Sequence, residues 1–150
     1  MILDTGSGLS LKNRTVKKLL YVLKPGGIIA TISLTLGKGD YHGVKMAWAW
    51  SEYNVAEEVN GFDYFDCLVQ IRETFEKDGY KILCNGARYD VYPSQMSRQM
   101  GKGLKAYKLT IGKQATEKDL VDIFDPTDAA RIGTVEQQKK YYDDWIKSLG

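Results

Sequence analysis

Two strand-like segments that follow each other closely set the strongest limit on the fold of this chain. Residues 28–36 are rich in β-branched side chains, and residues 44–50 alternate between apolar and other side chains. A six- or seven-residue loop that begins Gly37-Lys38-Gly39-Asp40 separates them, which predicts a β-hairpin. Trp48 and Trp50 share one face of the second strand, where they form either core or the floor of a binding groove.

The segment before this hairpin is basic and has the spacing of an amphipathic helix. Four apolar residues between positions 16 and 23 recur at i, i+3, i+4 and i+7. Residues 1–24 carry five basic residues and one acidic residue, a charge of +4, whereas the whole chain carries +2. The rest of the chain therefore sums to −2. We predict a basic N-terminal segment with a helix over residues 1–24, and an α+β globular domain over residues 25–150.

Helix and strand patterns follow one another through the remaining sequence. Residues 52–61 are polar and predict a loop or short helix, and Asp63 caps a helix over residues 64–75. Asn85-Gly86 is typical of a tight hairpin turn. The patterns further predict strands over residues 80–84, 87–92, 104–111 and 119–124, a short helix after Pro93 and a last helix after Thr134. Several strands follow one another directly instead of alternating strictly with helices. This order favours a single α+β domain, with a largely antiparallel sheet of about five strands and helices mainly on one face.

Composition excludes several classes of protein. The 150 residues contain no apolar run near the ~20 residues that a membrane span needs. Two cysteines and one histidine are too few for a disulfide framework or a four-cysteine zinc site, and no metal or cofactor motif is visible. The first residues lack the features of a signal peptide, so we expect a cytoplasmic protein whose cysteines are buried thiols. Nucleic acid is expected only as a partner of the basic residues 12–24.

Residues 84–103 hold the densest group of candidate binding residues. Arg88 and Asp90 lie two apart on one strand face, where they can pair with each other or with a ligand. Tyr92 follows, and Ser94 opens a helix N-terminus, which suits an anion. Arg98 lies on the short helix, and tyrosine and arginine are favoured binding anchors. Alternatively, this segment has only a structural role, as a hairpin followed by a helix whose two methionines fill the core.

Four stretches of the sequence carry a resemblance to a known group of proteins. They are Cys84-Asn85-Gly86-Ala87-Arg88, Asp90-Val91-Tyr92-Pro93-Ser94, residues 101–107 and the helix over residues 134–149. From about residue 27 to 149 the chain resembles small, mostly uncharacterised bacterial proteins. Small bacterial α+β proteins of this kind are often immunity partners of polymorphic toxins. The resemblance implies a non-catalytic protein that covers the active site of a cognate toxin domain.

The first functional hypothesis is therefore an immunity or inhibitor protein with an acidic, aromatic surface. Its binding residues would be Glu52, Tyr53, Glu57, Glu58, Asp63, Tyr64 and Asp66. The alternative is a small enzyme or a protein that binds an anionic ligand, with a pocket around Arg88, Asp90, Tyr92 and Ser94. In that case His42, the only histidine, would act with Arg88 and Asp90.

Overall fold

An antiparallel meander of four strands forms most of the main sheet. The computed structural model describes residues 16–40 and 42–150. The meander consists of β1 (Val16–Leu23), β2 (Ile29–Leu36), β3 (Val44–Trp50) and β4 (Val55–Gly61). A short β5 (Lys81–Ile82) pairs antiparallel with β1, which gives the strand order β4–β3–β2–β1–β5. The predicted hairpin is confirmed as β2 and β3.

Residues 16–40 and 42–150 also form three helices and a smaller sheet. The helices are α1 (Tyr64–Glu76), α2 (Gln95–Gly101) and α3 (Val135–Ser148). The second sheet is antiparallel and contains β6 (Val91–Tyr92), β7 (Lys105–Lys108) and β8 (Leu120–Asp122) in that order. This arrangement confirms the prediction of a single-domain α+β fold with a five-stranded antiparallel sheet.

The main core lies between one face of the large sheet and α1. Asp63 is the N-cap of α1, because its carboxylate accepts a hydrogen bond from the Asp66 N–H at 2.7 Å. The apolar side chains of α1 recur at helical spacing, and Phe65, Leu68 and Ile71 are almost fully buried. They meet alternate residues of the strands, which are Leu20, Val22, Ile32, Leu34, Met46, Trp48 and Trp50.

The predicted helix over residues 16–23 is wrong, because these residues form strand β1. Leu20 and Val22 are buried on the inner face, whereas Leu19 and Tyr21 point outward and are exposed. Residues 19–23 are all apolar or aromatic, so this run contains pairs at helical spacing as well as the alternate positions of a strand, and pairing with β2 over the whole of β1 decides between them. The predicted boundary between residues 24 and 25 falls in the turn that joins these two paired strands. Residues 1–15 of the predicted basic segment lie outside the described residues.

The prediction of a loop or short helix over residues 52–61 is also wrong. A 3-10 turn over Ser51–Tyr53 is followed by Asn54, whose φ of 53° reverses the chain into β4. In the part of the chain that the structure describes, β4 lies at the edge of the sheet and pairs only with β3, and most of its side chains are exposed. An exposed edge strand carries polar residues on both faces, which hides its strand pattern in the sequence.

Asn85-Gly86 does not form the predicted hairpin turn. Residues Asn85–Ala87 form a 3-10 turn, and the Gly86 N–H donates to the Ile123 carbonyl at 2.8 Å. The strands on either side separate, since β5 joins the large sheet and β6 joins the small one. The short helix after Pro93 is confirmed as α2, but Met96 and Met100 are 72% and 83% exposed. These methionines therefore do not fill the core.

Candidate functional site

A pocket lined by aromatic and acidic side chains lies beside the edge strand β4. Its volume is about 290 Å³, and it opens between β3, β4 and the C-terminal end of α1. We call it the aromatic–acidic pocket. Its lining includes five aromatic rings and two carboxylates, which belong to Trp48, Trp50, Tyr53, Phe75, Tyr80, Glu57 and Asp78.

Alternation along β3 and the last turn of α1 bring the aromatic rings together. Trp48 and Trp50 both point to the inner face of the sheet, as the sequence predicts, and both form core and pocket wall. The Trp50 ring stacks on Phe75 at a centroid distance of 5.7 Å. Tyr53 and Tyr80 meet the same indole edge-on at 4.9 and 5.4 Å. These contacts hold the pocket wall rigidly in place, because each ring packs on another.

Lys24 places a positive charge against two of these rings. Its Nζ lies 5.0 Å from the centre of the Tyr53 ring and 5.8 Å from that of Trp50. The same Nζ donates to the Tyr53 hydroxyl at 2.7 Å and lies 3.5 Å from Glu52 Oε1. The hydrogen bond with Tyr53 raises the pKa of Lys24. Glu52 Oε1 also accepts the Trp50 indole N–H at 3.2 Å, so the carboxylate links the lysine to the ring.

Two carboxylates line the pocket, and they differ from the nearby Glu52 because they form no ion pair with another described residue. Within the described part of the chain, neither Glu57 nor Asp78 has a lysine, arginine or histidine nitrogen within 4.0 Å. Glu57 pairs with Trp48 in the register of β3 and β4, which places it on the inner face. Glu58 is its neighbour on the strand and points to the opposite face. The predicted acidic surface is therefore divided: Tyr53 and Glu57 line the pocket, and Glu52 lies beside it through its contacts with Trp50 and Lys24.

The other residues of the predicted acidic surface have structural contacts. Asp63 is 1% exposed and forms a bidentate ion pair with Arg98, with Nε to Oδ2 at 2.7 Å. Tyr64 is buried, and its hydroxyl donates to the Gly37 carbonyl. Asp66 accepts the Phe62 N–H at 2.9 Å. These contacts fasten the start of α1 to α2 and to the loop after β2.

Arg88 and Asp90 pair with each other, which is one of the two outcomes that their spacing predicts. Arg88 Nε lies 2.8 Å from Asp90 Oδ1, and Arg131 approaches the other oxygen at 3.4 Å. The hydrogen bond with Asp90 raises the pKa of Arg88. Tyr92 stacks on Tyr142 at 4.0 Å. The charge of the guanidinium is thus already balanced within the protein.

Ser94 and His42 lie at separate places in the fold. The Ser94 hydroxyl accepts the Ser97 N–H at 3.0 Å and caps the short helix α2. His42 lies in the β2–β3 loop and lines a different pocket with Asp40 and Lys45. The Asp40 carboxylate accepts the His42 main-chain N–H at 2.7 Å. His42 therefore lines a different part of the surface from the Arg88–Asp90 pair.

The two cysteines are buried free thiols. Burial raises the pKa of both Cys67 and Cys84 to about 12, so both are protonated at neutral pH. A protonated thiol is a poor nucleophile. In the described part of the chain, no three histidine, cysteine, aspartate or glutamate side chains are grouped so that they could hold a metal ion.

Sequence reasoning missed a buried polar cluster that joins α1, α3 and the segment before β6. Arg72 is 2% exposed and donates to Gln138 Oε1 at 2.6 Å and to the Gly133 carbonyl at 3.0 Å. Burial lowers the pKa of this arginine. Gln138 Nε2 in turn donates to the carbonyls of Gly86, Arg88 and Val91 at 2.8–2.9 Å. Arg72 and Gln138 bind each other directly but lie 66 residues apart in sequence, so no local pattern reveals the cluster.

No family model matches the sequence, and no curated protein matches it at the significance required. Among the described residues, no helix has both the length and the apolar character needed to cross a membrane.

Proposed function

We propose that this protein is a non-catalytic binding protein that covers a basic surface of a protein partner. The observation that carries the proposal is the aromatic–acidic pocket, whose carboxylates Glu57 and Asp78 have no cation within 4.0 Å in the described residues. Carboxylates beside aromatic anchors favour a positively charged partner surface. Removing them from water costs less when the partner supplies the missing charge.

The exposed edge strand beside the pocket supports the same proposal. Among the described residues β4 has a neighbouring strand, β3, on one side only, and its first residue Val55 and the nearby Tyr53 are 42% and 48% exposed. An edge strand offers unpaired main-chain groups to an extended segment of another protein. The pocket and β4 together form one continuous surface for a partner.

The resemblance to small, mostly uncharacterised bacterial proteins, a kind that is often an immunity partner of toxins, suggests which partner this is. We infer that it is a toxin domain whose active site is basic, and that binding neutralises the toxin by covering that site. The proposal includes a cytoplasmic location, because both cysteines are free thiols and the cytoplasm keeps thiols reduced.

The test is binding to the toxin domain encoded beside this protein's gene. The two chains are co-expressed, and the Kd of the complex is measured at low salt and at 1 M salt. We expect a complex that weakens at least about tenfold at high salt, since exposed charges are screened. Glu57→Lys should weaken it further, whereas Glu58→Lys on the opposite face serves as the matched control. Absence of a complex, or affinity that responds to neither salt nor Glu57→Lys, would overturn the proposal.

A further inference from the structure

We propose that the aromatic–acidic pocket binds one arginine side chain of the partner, and that Lys24 occupies the edge of this cation site in the free protein. The inference rests on the proposed function, because it names the partner group that this surface recognises. The pocket should also bind a free guanidinium compound when the partner is absent, so the site can be tested by itself.

The position of Lys24 shows what chemistry this site accepts. Its ammonium donates to the Tyr53 hydroxyl, forms an ion pair with Glu52 and lies 5.8 Å from the centre of the Trp50 ring. A cation near an aromatic face is attracted by the negative charge of the ring surface. Lys24 is thus a positive group that the chain itself places beside an indole and a carboxylate at the edge of the pocket.

One lysine does not balance the acidic groups around the pocket. Glu52, Glu57 and Asp78 supply three carboxylates, and Lys24 lies within 4.0 Å of only the first. The pocket beyond Lys24 thus keeps two carboxylates that face aromatic walls. A second cation that enters the pocket would contact aromatic rings and carboxylates together.

The shape of the groups favours arginine over lysine. A guanidinium is planar, so it can stack on an indole or phenol ring and still direct N–H donors at carboxylates in its own plane. It is also more weakly hydrated than an ammonium, so less hydration is lost on entry. The stacked and edge-on rings around Trp50 offer flat surfaces of this kind.

The experiment titrates the whole protein with N-acetyl-arginine methylamide, and with the citrulline analogue as the neutral isostere. Indole N–H signals of the three tryptophans are followed by NMR. We expect the arginine probe to bind with a Kd of about 1 mM, as befits one side chain. It should shift the signals of Trp48 and Trp50 and leave that of Trp145 in place, because Trp145 lies on α3 and donates to the Lys113 carbonyl.

Three variants locate the site. Glu57→Gln should weaken binding of the arginine probe about fivefold, and the matched control Glu58→Gln should leave it unchanged. Lys24→Met should tighten binding about threefold, because it removes the internal cation from the same rings. Glu57 and Glu58 are exposed and Lys24 is half-buried, so the thermal midpoint of each variant is measured alongside to establish that it folds.

The outcomes separate this inference from the proposed function. Equal binding of the citrulline analogue, or equal effects of Glu57→Gln and Glu58→Gln, would overturn the arginine site. A toxin complex without arginine binding would refute this inference alone. Arginine binding by a protein that forms no complex with the toxin domain would refute the proposed function and keep the site.

Discussion

Replacing Gln138 with leucine should strongly destabilise the protein, although leucine fills nearly the same volume. Gln138 is 1% exposed and connects α3 to two other parts of the chain. Its Nε2 donates to the carbonyls of Gly86, Arg88 and Val91, and its Oε1 accepts from Arg72. The substitution removes all four contacts and leaves buried polar groups without these partners.

The size of the effect follows from these contacts. A neutral buried hydrogen bond contributes about 1 kcal/mol, and one to a charged group about 1.5–3 kcal/mol. Two of the carbonyls keep a weaker donor, since Arg72 lies 3.3 Å from the Gly86 oxygen and the Val91 N–H lies 3.4 Å from that of Arg88. We therefore expect a loss of about 3–5 kcal/mol in the free energy of unfolding. For a domain of this size the Tm would fall by roughly 10 °C.

The assay is urea unfolding followed by tryptophan fluorescence, together with the Tm by calorimetry. Gln137→Leu is the matched control, because Gln137 is exposed and only completes the capping box of α3 with Thr134. That control should cost about 0.5–1 kcal/mol. If Gln138→Leu costs no more than Gln137→Leu, the buried cluster does not hold the helices as described.

Two further stability measurements test the packing. Gly86→Ala should cost about 1–3 kcal/mol in urea unfolding, because its Cβ would lie 2.5 Å from Leu68 Cδ2, whereas Gly101→Ala has open space and should cost nothing. Stability should fall as the pH rises from about 9 towards 12, because Cys67 and Cys84 ionise near 9.0 in the unfolded chain but at about 12 in the folded protein. A urea midpoint that stays constant between pH 8 and 10.5 would contradict the burial of these thiols.

Local patterns predict those elements whose residues repeat at one clear spacing. Strands β2 and β3 alternate visibly, and α1 combines a capping residue with helical spacing. Strand β1 resembles a helix in sequence because its continuous run of apolar and aromatic residues 19–23 contains both spacings. Only its long-range pairing with β2 resolves the ambiguity.

Some features of the candidate site follow from the local sequence, whereas others depend on contacts between residues that are distant in sequence. The placement of Trp48 and Trp50 on one face follows from alternation along a single strand. Lys24 is 29 residues from the tyrosine that it contacts, and Asp78 reaches the pocket only because α1 ends there. Glu57 and Glu58 look equivalent in the sequence, and the register of β4 on β3 separates them.

Hydrogen exchange of the complex with the neighbouring toxin domain tests the central claim most directly. We expect binding to slow exchange of the main-chain amides in residues 55–59 of β4 and of the part-buried indole N–H of Trp50. Exchange in residues 88–94 should be unchanged. Protection of residues 88–94, with β4 and the Trp50 indole unaffected, would contradict the proposed binding surface.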